Sequence, residues 1–305
     1  MNNVGLSGRD WAVLLFLSIL WGGSFFFIEI ALGSVPPLTL VLIRVTLAGA
    51  VLWAVLLARR ERLAMPPGAA FAFLVLALLN NVAPFILFAW AQQAITGGLA
   101  SILNATTPIW GVIVAQIFTA DEKATPAKIA GVVLGFAGVA VMIGADFLGQ
   151  IGVGVLAQLA CLVSTLSYAL AGVWARRFRT MGVPPMAVAT GQLTAAALVM
   201  LPLVLLFEPP WRAAMPTGAA WGALVALALF CTSLAYILYF RLIASARATN
   251  ALLVTFLIPV TAIGLGILIL HDRLEPRHLA GLALIAAGLA AIDGRLLRWR
   301  RPAPA

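Results

Sequence analysis

Two stretches 151 residues apart bring amides, hydroxyls and aromatic rings into otherwise apolar runs. The first holds Asn80, Asn81, Phe85 and Phe88; the second holds Thr232, Tyr236 and Tyr239 at positions matching the last three. Within each stretch the rings stand three residues apart, so they share one face of a helix. Two such faces turned toward each other would line a mostly apolar pocket with a few hydrogen-bonding groups. That suits a ligand with an apolar body and a small polar part. Rings in apolar helices also serve as plain packing or as interfacial anchors, Trp90 more so than Tyr236 and Tyr239.

Prolines mark a second pair of positions. Pro108 and Pro259 each sit inside an apolar run, again 151 apart. Proline lacks an N–H and crowds the carbonyl four residues earlier. Those carbonyls belong to Asn104 and Thr255. A freed carbonyl beside a polar side chain makes a substrate site or a gating hinge, or a kink that only shapes packing. Further polar and aromatic candidates are Trp21, Ser24 and Phe25 in the first apolar run and Ser164 and Tyr168 in the sixth.

Arg44 is the energetic anomaly. A charge deep in an apolar helix is costly and marks function by default. It is a candidate partner for a substrate carboxylate, for Glu29, or for the outer interface by snorkelling. The two histidines, His271 and His278, have no cluster around them and read as solvated loop residues, not metal ligands. Nothing calls for a cofactor. No nucleophile–base pair falls mid-helix and no phosphate-binding G-x-x-x-x-G-K-[ST] loop is present, which argues against an enzyme or an ATPase. No ring of charges suggests a channel.

The elements that position these residues follow from composition. Of 305 residues 63% are hydrophobic and only 10% charged, with mean hydropathy +1.09. A soluble domain carries about 25% charged residues. The surface must therefore face lipid. Ten apolar stretches are each long enough to cross a bilayer: 11–31, 37–58, 69–94, 98–119, 126–145, 151–175, 184–207, 217–241, 247–270 and 277–297. The first is too long for the apolar core of a cleaved leader and reads as a real helix. Cys161 and Cys231 fall inside apolar runs and read as buried thiols.

The net charge of +9 does not form a nucleic-acid patch. Its Lys and Arg collect between apolar runs. With the N-terminus inside, fifteen of nineteen fall on the cytoplasmic side, among them Arg59, Arg176 and Arg300. Only Arg212, Arg273 and Arg277 fall outside. Both termini are therefore expected in the cytoplasm.

The chain also repeats itself. Val35-Pro36-Pro37 returns as Val183-Pro184-Pro185, Leu76-Ala77-Leu78 as Leu227-Ala228-Leu229, Ala130-Gly131 as Ala280-Gly281, and Gly138 as Gly288. Residues 1–146 and 147–305 thus read as two related five-helix units. Five is odd, so the second enters the membrane from the opposite face, as in many secondary transporters. Gly131 and Gly135 form a G-x-x-x-G suited to close helix packing, within the chain or against a second copy. Only Glu29 and Asp293 among the acids lie within the apolar runs, each near an end. That points to alternating access driven by the substrate's own gradient.

Ordered motifs carry a family resemblance over nearly the whole chain. Trp21-Gly22-Gly23-Ser24-Phe25, then Ala100 through Pro108, then Glu122 and Lys128-Ile129-Ala130-Gly131 occur in sequence; Ala251 through Pro259 and Leu279-Ala280-Gly281 follow in the second unit. The chain resembles the EamA-type branch of the drug/metabolite transporter superfamily. The resemblance implies a ten-helix exporter of amino acids or related metabolites in the bacterial inner membrane. It places a central cavity among helices 1, 3, 4, 6, 8 and 9, and the bacterial aromatic amino-acid exporters are the nearest branch. Other metabolites or drugs are the alternative cargo. The partners implied are a small-molecule substrate and the lipid bilayer, with no nucleic acid. Asp272-Arg273 stands where the family usually has Glu.

Overall fold

The computed structural model describes residues 7–119, 125–143, 152–212, 214–246 and 254–293. Glu122, Asp146, Ala251 and the C-terminal arginines from Arg295 on lie outside the described residues. All regular structure among the described residues is helical. In chain order the helices are α1 (Gly8–Leu32), α2 (Pro37–Ala58), α3 (Ala69–Ala91), α4 (Gly97–Phe118) and α5 (Pro126–Ile143), followed by α6 (Val153–Thr180) and α7 (Pro185–Phe207). Then come α8 (Gly218–Ala228, continuing to Ala246), α9 (Val254–Leu265, continuing to Leu270) and α10 (Pro276–Asp293).

Seven helices are long and apolar enough to cross a membrane: α1 to α4 and α6 to α8. The apolar parts of α5, α9 and α10 are shorter. Large apolar side chains stand on outer faces as well as inner ones; Leu206 and Leu268 are 73% and 77% exposed. Helices that are apolar all round need lipid to cover them.

Local chemistry sets the helix starts. Ser7 accepts from the Asp10 N–H at 3.2 Å while Asp10 accepts from the Ser7 N–H at 3.1 Å, a reciprocal cap on α1. Thr96 and Thr217 cap α4 and α8. The repeated Val-Pro-Pro gives two matching starts. Pro36 and Pro184 are the caps, with φ near −63° and −62°, and Pro37 and Pro185 are the first helical residues.

α6 runs past the apolar stretch 151–175 and ends at Thr180. Arg177 and Arg179 then lie in the last turn, where cations favour the helix C-terminus.

Packing settles the role of the glycines. A Cβ on Gly131 would lie 2.5 Å from the Gly288 carbonyl oxygen, and one on Gly138 would lie 2.7 Å from the Gly281 carbonyl oxygen. The G-x-x-x-G thus seats α5 against α10 within the chain, and the residue pairing is antiparallel. On the other side of the molecule α2 packs on α7, with Val45, Ala48 and Leu52 in one core with Leu193, Ala196 and Met200. In lipid, such contacts act through van der Waals fit.

Four helices depart from regular winding. Wide π-turns occupy Leu78–Val82 in α3 and Leu229–Leu234 in α8, and a third, Gly266–Leu270, ends α9. The two prolines act differently. α4 is interrupted at Ala105-Thr106, just before Pro108, whereas α9 runs through Pro259 without a break. The hydroxyls ahead of Pro108 explain the difference. Thr106 donates to the Leu103 carbonyl at 2.7 Å beside its own N–H at 3.0 Å, and Thr107 donates to the Asn104 carbonyl at 2.8 Å, where Pro108 has no N–H to offer.

Candidate functional site

The π-turns place polar side chains where α3, α8, α2 and α7 meet. From α3, Asn81 donates to the Tyr236 hydroxyl at 3.2 Å, and Asn80 approaches the same oxygen at 3.5 Å. Asn80 also donates to Gln192 of α7 at 3.0 Å. From α2, Arg44 donates through Nε to the Thr232 hydroxyl of α8 at 3.0 Å. Thr232 in turn donates to the Leu227 carbonyl five residues back at 2.9 Å, just ahead of the wide turn. The guanidinium carbon lies over Phe85, 3.7 Å from the ring centroid.

Arg44 and Gln192 are matched positions, and so are Asn81 and Thr232. One polar arm thus runs from α2 to α8 and another from α7 to α3.

Aromatic rings line the cluster. Phe25 meets Phe88 edge to face with centroids 5.5 Å apart, and Phe88 stacks on Tyr168 at 6.3 Å. Trp21 packs on Tyr239 at 5.1 Å; Tyr239 and Tyr236 both contact Phe240, at 6.0 and 6.3 Å. Side chains from α1, α3, α6 and α8 therefore share one aromatic wall. Phe240, absent from the sequence candidates, is legible afterwards as the residue four beyond Tyr236 on the same face.

The other candidates lie as follows. Ser24 donates to its own helix at the Trp21 carbonyl. Ser164 is fully buried, donating to Ala160 at 2.9 Å and reaching the Pro84 carbonyl at 3.4 Å. Asn104 is half-buried beside the α4 break, and Thr255 is half-buried on α9. Glu29 does not meet Arg44. Its carboxylate accepts from the Gly97 N–H at 2.8 Å, at the N-terminus of α4, where the helix dipole favours an anion. Trp90 is 40% exposed on the outer face of α3.

Two further cavities are lined by other residues. One of about 390 Å³ lies among Leu79, Phe118, Leu170, Val173, Trp174 and Arg177. The other, about 330 Å³, is bordered by Leu99, Val155, Gln158, Glu275 and His278. His278 is not solvated as the sequence suggests: it is 7% exposed, and its Nδ1 accepts from the Glu275 N–H at 3.2 Å. Near this end, burial pushes the Asp272 carboxyl above the ordinary carboxylate range. Among the described residues no group of three His, Cys, Asp or Glu converges as a metal site.

Comparison with known proteins gives these features a context. The model of the EamA-like transporter family matches twice, at residues 10–144 and 155–292. Bacillus subtilis has two similar proteins, the uncharacterized transporters YvbV and YoaV. YvbV is 29% identical over 93% of this chain and 92% of its own length; YoaV is 23% identical over 90% and 94%. The uncharacterized inner membrane transporter YedA of Escherichia coli K12 is 28% identical over 83% of this chain and 80% of its own. A solved crystal structure superposes with a TM-score of 0.68 over 96% of this chain and all of the other, at 23% identity, which shows a shared fold. With the family model matched over most of its length, this multi-pass membrane protein belongs to the EamA-like transporter family.

Proposed function

We propose that the protein is a secondary transporter that exports small organic metabolites, foremost amino acids with aromatic or other apolar side chains, from the bacterial cytoplasm by alternating access. One observation carries this reading: a ring-lined wall from α1, α3, α6 and α8 adjoins a compact set of amide, hydroxyl and guanidinium groups. The rings suit an apolar side chain, and the polar set suits a small charged head. Trp21, Phe25, Phe88, Tyr168, Tyr236 and Tyr239 form the apolar part of the site. Asn80, Asn81 and Asn104 supply its polar contacts.

In this reading all ten helices cross the inner membrane as two inverted five-helix repeats, residues 1–146 and 147–305, with both termini cytoplasmic. The reciprocal contacts of Gly131 with Gly288 and Gly138 with Gly281 support it, since they are what a two-fold axis between α5 and α10 would generate. The matched arms from Arg44 and Gln192 support it further, as do the paired π-turns. The interruption of α4 before Pro108 acts as the hinge, with Pro259 as its weaker counterpart.

The test is uptake and counterflow by purified protein in liposomes, with a panel of labelled amino acids. Saturable exchange of phenylalanine, tyrosine or leucine supports the reading. Exchange of none of them, from protein shown to be folded, rules out amino-acid transport.

A further inference from the structure

Arg44 is only 6% exposed, yet no carboxylate lies within ion-pairing distance of it among the described residues. Glu29, the acid of α1, is committed to the Gly97 N–H. A buried guanidinium without a counter-charge is unfavourable in any apolar surrounding and more so inside a bilayer. Its described neighbours hold it in place without neutralising it. Thr232 takes the Nε–H, and the guanidinium carbon sits over the face of Phe85.

The two Nη groups form no hydrogen bond to a described residue. They make up the forked edge that binds a carboxylate through two parallel N–H···O bonds. Tyr168, Tyr236 and Cys231 are the other polar groups within electrostatic reach of this charge. Tyr236 accepts from Asn80 and Asn81, and its own O–H has no acceptor among the described residues. The unpaired acceptor of this cluster is the uncharged Asn81 Oδ1. Among the described residues the site thus offers one fixed positive charge and unspent donors, with no fixed negative charge facing them.

We infer that Arg44 is the carboxylate seat of the transport site, so that the group a substrate must carry is a carboxylate, while an ammonium is dispensable. This rests on the transport reading and sharpens it. The apolar body lies along Phe25, Phe88 and Tyr168, and the carboxylate meets the Nη edge with Tyr236 beside it. Asn81 Oδ1 can accept from an ammonium or a hydroxyl, but as a neutral oxygen it supplies no counter-charge for a bare amine.

Three probes that share one ring system test this: phenylalanine, 3-phenylpropionate (carboxylate without ammonium) and phenethylamine (ammonium without carboxylate). Binding to the purified full-length protein is read by intrinsic tryptophan fluorescence, separately from any transport assay. Phenylalanine and phenylpropionate are expected to bind within about tenfold of each other, and phenethylamine at least about tenfold more weakly than either, one lost charge-assisted contact. Arg44→Gln should abolish that discrimination and Arg44→Lys should retain part of it.

If Arg44→Gln does not fold, Thr232→Val, which frees the Nε–H and loosens the fork, should weaken both carboxylates several-fold and leave the amine unchanged. Phenethylamine binding as tightly as phenylpropionate to the unaltered protein overturns the inference, as does carboxylate preference persisting in Arg44→Gln. Failure of all three probes to bind also overturns it. Carboxylate binding without any exchange in liposomes leaves the inference standing and removes the transport reading instead.

Discussion

Gly131 of α5 and Gly288 of α10 meet backbone to backbone: a Cβ on either would sit 2.5 Å from the other's carbonyl oxygen. No side chain can be accommodated there without moving a helix. Gly131→Ala and Gly288→Ala should each destabilise the folded protein by about 1–3 kcal/mol, the usual cost of overpacking. Gly172→Ala, inside α6 with open space around it, should cost nothing and gain up to about 1 kcal/mol of helix propensity. Thermal unfolding in detergent measures all three, and equal midpoints would contradict the close seam.

Tyr236 is the shared acceptor for two asparagines. Tyr236→Phe keeps the ring against Phe240 but strands the Asn81 amide, whose Oδ1 already has no partner. A stability loss of about 1–3 kcal/mol is expected from the unsatisfied buried donor. Substrate exchange should weaken at the same time. Tyr236→Ala and Asn81→Ala should cut exchange more severely while folded protein remains in the membrane. Wild-type exchange by both alanine variants would remove this cluster from the substrate path.

The contrast between α4 and α9 separates the two prolines. Pro108→Ala should change the rate of exchange more than its half-saturation, because the break beside it is where α4 is free to bend. Pro259→Ala, in an unbroken helix, should change the rate less. Initial-rate measurements over a substrate series decide this; equal effects would mean that the break does not act as a hinge.

Reporter fusions check the orientation. Fusions after Arg62 and Arg179 should report cytoplasm and one after Arg212 the outside. A fusion after Asp146, a position outside the described residues, should also report the outside. A cytoplasmic signal there would dissolve the inverted-repeat reading.

Burial raises the Asp272 carboxyl, so folding favours its neutral form. A group of this kind contributes its stability in acid and loses it as pH rises through the folded-state pKa. Asp272→Asn should therefore raise the unfolding midpoint near pH 8 and leave it unchanged near pH 4. A larger gain in acid than in base would reverse this assignment.

Proline and hydroxyl signals were legible from residue types. The doubled Val-Pro-Pro predicts two helix starts because proline fixes its own φ, and both starts occur with nearly the same geometry. The glycine spacing of α5 was legible as a packing face, but its partner was not, because G-x-x-x-G carries no address. Pairing of Glu29 with Arg44 was a fair reading of two charges in adjacent helices. It fails because Gly97, at a helix N-terminus 68 residues away, offers the carboxylate an N–H.

The π-turns had no sequence signal. In α3 the wide turn at Leu79 is met by Ser167 of α6, which donates to its carbonyl at 2.7 Å. An insertion stabilised by a distant hydroxyl leaves no local period to detect. Its effect is large, since it decides which faces Asn81 and Thr232 occupy.

Each wide turn is a helix carrying one residue more than its length requires. Such a surplus residue can travel. Shifting the bulge by one position hands each hydrogen bond to its neighbour and turns a single side chain by about 100°, while the rest of the helix stays wound. In α8 the bulge ends at Leu234, two residues before Tyr236. Two steps toward the C-terminal end of α8 would reach Tyr236 and turn the ring that accepts from Asn80 and Asn81. A bulge in this place would re-aim one part of the aromatic wall in increments of one residue, like a ruck moved along a carpet, with the rest of the helix still wound.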